Sequence, residues 1–539
     1  MNHPPARVLS RRQFAQYLGA GAVIAASNRV LPNWLTAQTV TPAAQATPFL
    51  DGLNFPAVPN NMNDGVTLPE GFVSEVLVKY GDVINDRGET FGEDADYLAF
   101  VLDDESRGWL WVNHENSWWL KGEDLLRGVG GSCLRLRRDE STGRWRPVVK
   151  AEENFRVNGL DTKIQLLGPA AGSDVMGGVT EVLGSVGNCG GAVSPWGTFF
   201  SGEENYYEFT GDPDTPAGAE APVHELPENL RRPARHYGWM VEIDPQTREV
   251  FKHTGLGRFA HENVAFGQTA DGRLVAYQGD DKAGMHLYKY LSRGKYDAGA
   301  GKAANRALLT DGTLHVANLE QRRWIPLDPE LTPALKEQGM TLADICVRTR
   351  AASIIAGGSA LMRPEDVEIH PQTGEVYCAL TSWENAQGKV GAILALREAG
   401  GDHGALTFEH EILHEGGQAD GLTWQDNLAF GPANELLVTT DYKVDKDKPQ
   451  PGTPWEQFGN NGLFVVPTSG PDRGKAKRFM SGPLGAELCS PTLSPDRMEL
   501  WVNVQHPGEG GIGHWPGGGD SQPVSGLVVV KRESGEKGI

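Results

Sequence analysis

Six positions along the chain carry a carboxylate or a thiol in the same local setting. Cys189, Glu365, Asp426 and Cys489 each stand six residues before a proline, at Pro195, Pro371, Pro432 and Pro495. Glu262 holds the same place before Asn263-Val264-Ala265-Phe266, and Asp96 before Tyr97-Leu98-Ala99-Phe100, in two segments without that proline. Acids scattered for solubility have no reason to recur in register. Carboxylates gathered in one place repel one another unless cations fill the space between them. Their oxygens suit hard cations such as calcium or ferric iron, and a thiolate suits a transition metal. A single Glu-Asn or Asp-Asn pair is ordinarily a turn cap. Six such places in register favour a ring of metal ligands.

A second acidic set closes the strands that follow: Glu115, Glu203, Glu204, Asp280, Asp281 and Asp441. Glu204 stands out, because the turn after Cys189 folds its strand back beside the thiol. Arg363 lies two residues before Glu365. A guanidinium beside a metal cluster suits bidentate binding of a phosphate, and an ion pair with a ring carboxylate accounts equally well for the spacing. His114, His261, His370 and His506 fall in the same segments. None of these four stands in an HExxH pair on a helix, so they give zinc no support. Nor is there a GxSxG elbow, a Walker loop or a dinucleotide fingerprint between a strand and a helix.

The elements that must position these groups repeat six times. Short inner strands are expected over 97–100, 191–193, 263–266, 366–369, 427–430 and 489–493. Partner strands follow over 109–115, 198–204, 273–281, 375–381, 435–441 and 499–506. Third strands follow over 132–137, 238–243, 285–290, 391–396, 462–466 and 526–530. Strand, turn, strand, long connection, strand, six times over, predicts an all-β fold: a six-bladed β-propeller with loop and short-helix insertions. Polar–apolar alternation within the strands is weak, as blades packed on both faces require. Gly (68) and Pro (34) are spread along all 539 residues, which fits many short strands joined by turns.

The net charge of −21, with no basic stripe, argues against a nucleic-acid or anionic-membrane partner. Five cysteines, Cys133, Cys189, Cys346, Cys378 and Cys489, are an odd number at irregular spacing and form no disulfide framework. At the N-terminus, Arg11-Arg12 precede a weakly apolar stretch over residues 17–26, too short to span a bilayer. This layout reads as a twin-arginine signal. Residues 1–38 are therefore expected to be signal and linker, and 39–539 a single catalytic propeller. The export machinery is an expected partner, and the periplasm or exterior the expected location.

The motifs FGEDADY (91–97), LWVNHEN (110–116), NCGGAVSPWGTFFSGEEN (188–205), GRFAHENV (257–264), YQGDD (277–281), MRPEDVEIHPQTGEVYCALT (362–381) and VNVQHPGEG (502–510) resemble the PhoX-type alkaline phosphatase family. They occur in that family's order and span nearly the whole body; the Cys-Gly-Gly…Glu-Glu-Asn block is the most specific. The resemblance implies a propeller with a mixed cluster of Fe(3+) and Ca(2+) that binds phosphate esters. Cys189, Glu204, Glu262 and Glu365 fall where the family's iron ligands fall, and Arg363 where a phosphate-binding arginine falls. Asp96, Glu115 and Glu487 match possible calcium ligands. Lys282 and Lys289 both remain open as a phosphate-contacting lysine. Two features depart from the pattern: Asp94 and Ala95 replace asparagines, and Cys489 follows Glu487.

The expected reaction is hydrolysis of a small phosphomonoester to an alcohol and inorganic phosphate, with Arg363 adding charge stabilisation. The alternatives are a phosphodiesterase or lactonase-type calcium propeller, or a non-enzymatic binding module stabilised by calcium. Cys189 separates them, since a calcium-only protein has no need of a soft thiolate there.

Overall fold

The computed structural model describes residues 49–533 except 51, 387, 418 and 443–453. The twin-arginine segment read from the sequence lies outside the described residues.

Six sheets form the six blades, which we number in chain order. Their inner strands are Ala95–Leu102, Asn188–Val193, Ala265–Gln268, Pro364–Ile369, Gln425–Phe430 and Glu487–Leu493. Antiparallel second strands follow at Arg107–His114, Phe199–Glu203, Arg273–Gly279, Val376–Leu380, Leu436–Thr440 and Leu500–Gln505. The fourth strands were not legible in the sequence. In blades four and five they are Phe408–Glu415 and Lys477–Ser481. In blade six the fourth strand comes from the other end of the chain. Phe72–Lys79 pairs antiparallel with Gly526–Arg532, from Phe72↔Arg532 to Lys79↔Gly526. The first strand of the described chain thus completes the last blade as its outermost strand.

Apolar side chains fill the gaps between neighbouring blades. On one strand of blade one, Trp109 and Trp111 point into the cluster shared with blade two, beside Phe199 and Trp239. The alternate residues Leu110 and Val112 point the other way, to Trp501 and Val529 of blade six. Successive strand residues face opposite sides of a sheet, and here both sides are buried. This is why the strands read as apolar runs. Trp111 is fully buried; truncating it to Ala would cost about 3–5 kcal/mol through the cavity left behind.

The blades are also tied together near the axis. Asn113 of blade one donates to the carbonyls of Cys189 (2.5 Å) and Gly190 (2.9 Å) in blade two. Asn263 Oδ1 accepts from the Val367 amide at 2.9 Å, and Asp366 from the Leu428 amide at 2.8 Å. Asn427 accepts from the Ser490 amide at 2.7 Å, and Ser490 Oγ from the Leu98 amide at 2.9 Å. The residue just after each ring acid in blades three to five, and just after Cys489 in blade six, therefore locks its inner strand to a neighbour.

Each inner strand also slips its register by one residue. The slips lie between Ala95↔His114 and Leu98↔Val112, Asn188↔Glu203 and Gly191↔Ser201, and His261↔Asp280 and Ala265↔Tyr277. The other three lie between Pro364↔Leu380 and Val367↔Cys378, Gln425↔Thr440 and Leu428↔Val438, and Cys489↔Asn503 and Thr492↔Trp501. One extra residue in one strand of a pair is a β-bulge, which bends the strand and re-aims a side chain. The bulges fall at Asp96, Cys189, Glu262, Glu365 and Asp426; in blade six Cys489 still pairs with Asn503, and the bulge follows it at Ser490 and Pro491. The recurrence seen in the sequence is a recurrence of bulge geometry.

Candidate active site

Five of those six positions meet in one cavity of about 280 Å³, lined by Asp96, Cys189, Glu262, Glu365 and Asp426. Above them, the residues that leave the second strands contribute Glu115, Glu204, Asp281 and Asp441. Glu487, Asp94 and Arg363 complete the inner wall. The eight residues matched to metal or phosphate binding by the family resemblance, Asp96, Glu115, Cys189, Glu204, Glu262, Glu365, Glu487 and Arg363, all line the same cavity.

The backbone explains part of this convergence. Asp94, Gly187, Arg363 and Trp424 each lie two residues before a ring position, and each has a positive φ, of 54°, 63°, 54° and 50°. The left-handed conformation is uncommon outside glycine and clusters at functional sites. At Gly187 a Cβ would lie 2.7 Å from the backbone of Asn205 and Tyr206, so only glycine fits.

The thiol of Cys189 lies 3.0 Å from Asp96 Oδ2 and 3.1 Å from Glu262 Oε2. Two triads, Asp96–Glu115–Cys189 and Cys189–Glu204–Glu262, bring one ligand atom from each residue within 4.8 Å of the others. All five side chains are buried. Asp96 Oδ1 and Asp426 Oδ2 are buried without a hydrogen-bond partner. Burial, then Glu115, pushes Asp96 up to about 7. Burial and neighbouring carboxylates hold Glu204, Glu262, Glu365 and Glu487 well above the usual carboxylate range, and raise the Cys189 thiol too. Orphaned oxygens and a self-repelling acidic set with one thiolate donor match what a mixed group of hard and softer cations requires.

Arg363 crosses the cavity. Its Nε and Nη2 reach Asp281 Oδ1 and Oδ2, both at 2.8 Å; Nη2 also lies 2.5 Å from Glu365, and Nη1 3.2 Å from Asp441. Burial raises Asp281, but the Arg363 guanidinium outweighs it and holds the carboxyl below its ordinary value.

Several groups flagged by spacing sit elsewhere. Glu203 turns away from the cavity to pair with Lys252 at 2.8 Å, and Asp280 pairs with Arg350. Lys289 is buried against Glu398 at 2.9 Å, whereas Lys282 lines the cavity, pairs with Glu220 and lies 4.4 Å from the centre of the Tyr207 ring. Cys489 is buried, with Sγ 2.9 Å from Gln505 Oε1. Gln505 in turn donates to Glu115 Oε2 at 2.7 Å, so the thiol sits one hydrogen bond behind a candidate ligand. His114 contacts Ser132, His261 the Gly257 carbonyl and His370 Thr468; of the four histidines only His506 lines the cavity, 3.3 Å from Glu487.

The sequence reading missed the upper wall, formed by Asn116, Trp118, Asn205, Tyr207, Glu208 and Glu509. Asn205 donates to Glu115 at 2.5 Å and also to Glu204. Its place in the Glu-Glu-Asn run was the one available signal.

The family model for alkaline phosphatase PhoX matches residues 53–508. The chain belongs to the PhoX alkaline phosphatase family. The Pseudomonas fluorescens PhoX structure in complex with vanadate, a transition state analogue, superposes with a TM-score of 0.78 at 27% identity, covering 89% of this chain and 98% of that one. This PhoX-like phosphatase and that enzyme share the propeller. A Trichoderma reesei carbohydrate-active enzyme of family AA12 matches at a TM-score of only 0.38 and 8% identity, covering 88% of this chain and all of that one. A Xanthomonas campestris gluconolactonase gives 0.35 and 10%, covering 90% of this chain and all of that one. No curated protein sequence matches. Among the described residues no helix is long and apolar enough to cross a membrane.

Proposed function

We propose that this PhoX-like phosphatase hydrolyses phosphomonoesters in the axial cavity with an iron–calcium cluster held by the thiol–carboxylate ring. The observation that carries the proposal is the meeting of Cys189, the buried carboxylates and the Arg363 fork in one space. Cys189, Glu204, Glu262 and Glu365 would hold iron. Asp96, Glu115 and Glu487 would hold calcium. Bound there, the cations would supply Lewis acidity to the phosphoryl oxygens and to the attacking water.

The chain's own residues do the rest. Asp281 fixes the plane of the Arg363 guanidinium through two parallel hydrogen bonds. Nη1, with its longer contact to Asp441, is left to meet a phosphoryl oxygen as charge develops on it. Asn205 and Gln505 hold Glu115 from two sides, keeping its carboxylate aimed at the ring. Walls this buried limit the water around the reacting group and strengthen every charge interaction in it.

We also propose export to the periplasm or exterior by the twin-arginine route, on the strength of Arg11-Arg12 and the weak apolar stretch after them. Substituting both arginines by Lys should leave the protein in the cytoplasm; unchanged periplasmic accumulation would mean an ordinary secretory signal.

Hydrolysis rates on a matched phosphomonoester, phosphodiester and lactone, read as release of phosphate, alcohol and carboxylate respectively, test the activity. The metal-loaded protein is expected to turn over the monoester fastest. Preference for the diester or lactone would favour the alternative calcium-propeller chemistries.

A further inference from the structure

The lower cavity is almost wholly polar, but its rim holds one large aromatic face with no charged partner. Trp118 lines the cavity and keeps 53% of its surface exposed. Tyr207, the other aromatic residue in the lining, is already engaged. Its ring lies 4.4 Å from the Lys282 ammonium, and its hydroxyl donates to Asn205 at 2.5 Å. No cation stands over the Trp118 ring among the described residues.

The Trp118 loop is held in place. Asn116 donates to Glu208 at 2.7 Å, and its Oδ1 lies 2.8 Å from His224 Nε2. The same Oδ1 accepts from the Ser117 amide at 2.7 Å. His224, itself buried, lies 5.8 Å from the Trp118 ring with 38° between the planes. An exposed indole on an anchored loop costs little further ordering when a ligand packs on it. The adjacent Trp119, 45% exposed, leans instead on Tyr80 at 6.4 Å and is not part of the lining.

We propose that Trp118 is a specificity determinant that stacks a neutral, planar leaving group, an aryl or nucleobase-bearing alcohol, while the phosphoryl end reaches Arg363. The proposal rests on the phosphatase reading above. A phosphoryl group drawn down to the ring leaves the alcohol at the rim, where acids such as Glu208 and Glu509 disfavour further negative charge. An aromatic face there is sequence-tolerant towards bases, because every base has a π-face.

Adenosine 5′-monophosphate and ribose 5-phosphate test this, since they share the scissile ester and differ by the base. The metal-loaded wild type is expected to favour the nucleotide in kcat/KM by about tenfold, mostly through KM, as one base–aromatic stack supplies. Trp118→Ala should bring the ratio below about twofold by weakening the nucleotide alone, because the stack is lost. Trp118→Phe should keep most of the preference, and Trp119→Ala all of it. Equal wild-type rates for the two esters, or an equal loss on both in Trp118→Ala, would overturn the assignment. Hydrolysis of neither ester by metal-loaded wild type would instead overturn the phosphatase reading, and this inference with it.

Discussion

Arg363 and Asp281 face each other as a fork on a fork, Nε to Oδ1 and Nη2 to Oδ2, both at 2.8 Å. They come from different blades, Arg363 entering the inner strand of blade four and Asp281 leaving the second strand of blade three. The pair converts the closure of two blades into the orientation of one guanidinium.

Arg363→Ala is therefore expected to keep its metals and lose about 10²- to 10³-fold in kcat/KM on a phosphomonoester, the usual cost of removing one preorganised donor to developing charge. Asp281→Asn should lose less. The double variant should be no worse than Arg363→Ala alone, because the two residues act as a unit. Steady-state kinetics on the four proteins of this cycle checks it; fully additive losses would show that Asp281 acts apart from the arginine.

Cys189→Ala and Glu365→Gln each remove an anionic donor from the ring. Both are expected to bind less iron and to lower phosphate release at least about 100-fold, while unfolding cooperatively near the wild-type temperature. Metal binding energy is also folding energy, so a modest loss of stability should accompany the loss of iron. Elemental analysis beside a thermal melt checks this, and wild-type iron in Cys189→Ala would remove the thiol from the ligand set.

The metal-free protein should respond to pH in an unusual direction. Asp96 rises from its ordinary value of 3.8 to about 7, and Glu93 from 4.5 to about 7, burial being the largest cause for both. A folded pKa raised above the unfolded one gives stability that is present at low pH and lost as pH climbs through the folded value. Chelator-treated protein is thus expected to melt progressively lower as pH rises from about 4 towards 8. Cations should reverse the trend, because their ligands must be deprotonated. Melting curves across pH with and without chelator check it; a metal-free protein that gains stability over that range would show that burial does not keep these carboxyls protonated in the folded chain.

Most of the ring was legible in the sequence because five blades place an acid or thiol a fixed distance before a turn, and such spacing survives in one dimension. In blade six Cys489 keeps the spacing but lies one residue before its bulge and outside the cavity lining. The bulges that aim those groups were not, since register is set by pairing between strands. The same limit explains Glu203 beside Glu204 and Asp280 beside Asp281. Neighbours on a strand point to opposite sides, so one of each pair enters the cavity and the other meets a buried cation. Lys282 and Lys289 could be told apart only once blade three placed Lys289 against Glu398. The closing strand Phe72–Lys79 escaped notice because its partner, Gly526–Arg532, lies at the far end of the chain. The upper wall around Trp118 and Asn116 belongs to connections that follow no repeat.

The central claim is that the thiol–carboxylate ring, filled with iron and calcium, performs the phosphatase reaction. The most direct measurement is phosphate release from a phosphomonoester by one protein sample carried through chelation and stepwise reconstitution, with bound iron and calcium determined at each step. The account predicts activity that disappears with the metals and returns in proportion to iron bound per chain in the presence of calcium. Full activity in the stripped protein, or none in a protein loaded with both metals, would contradict it.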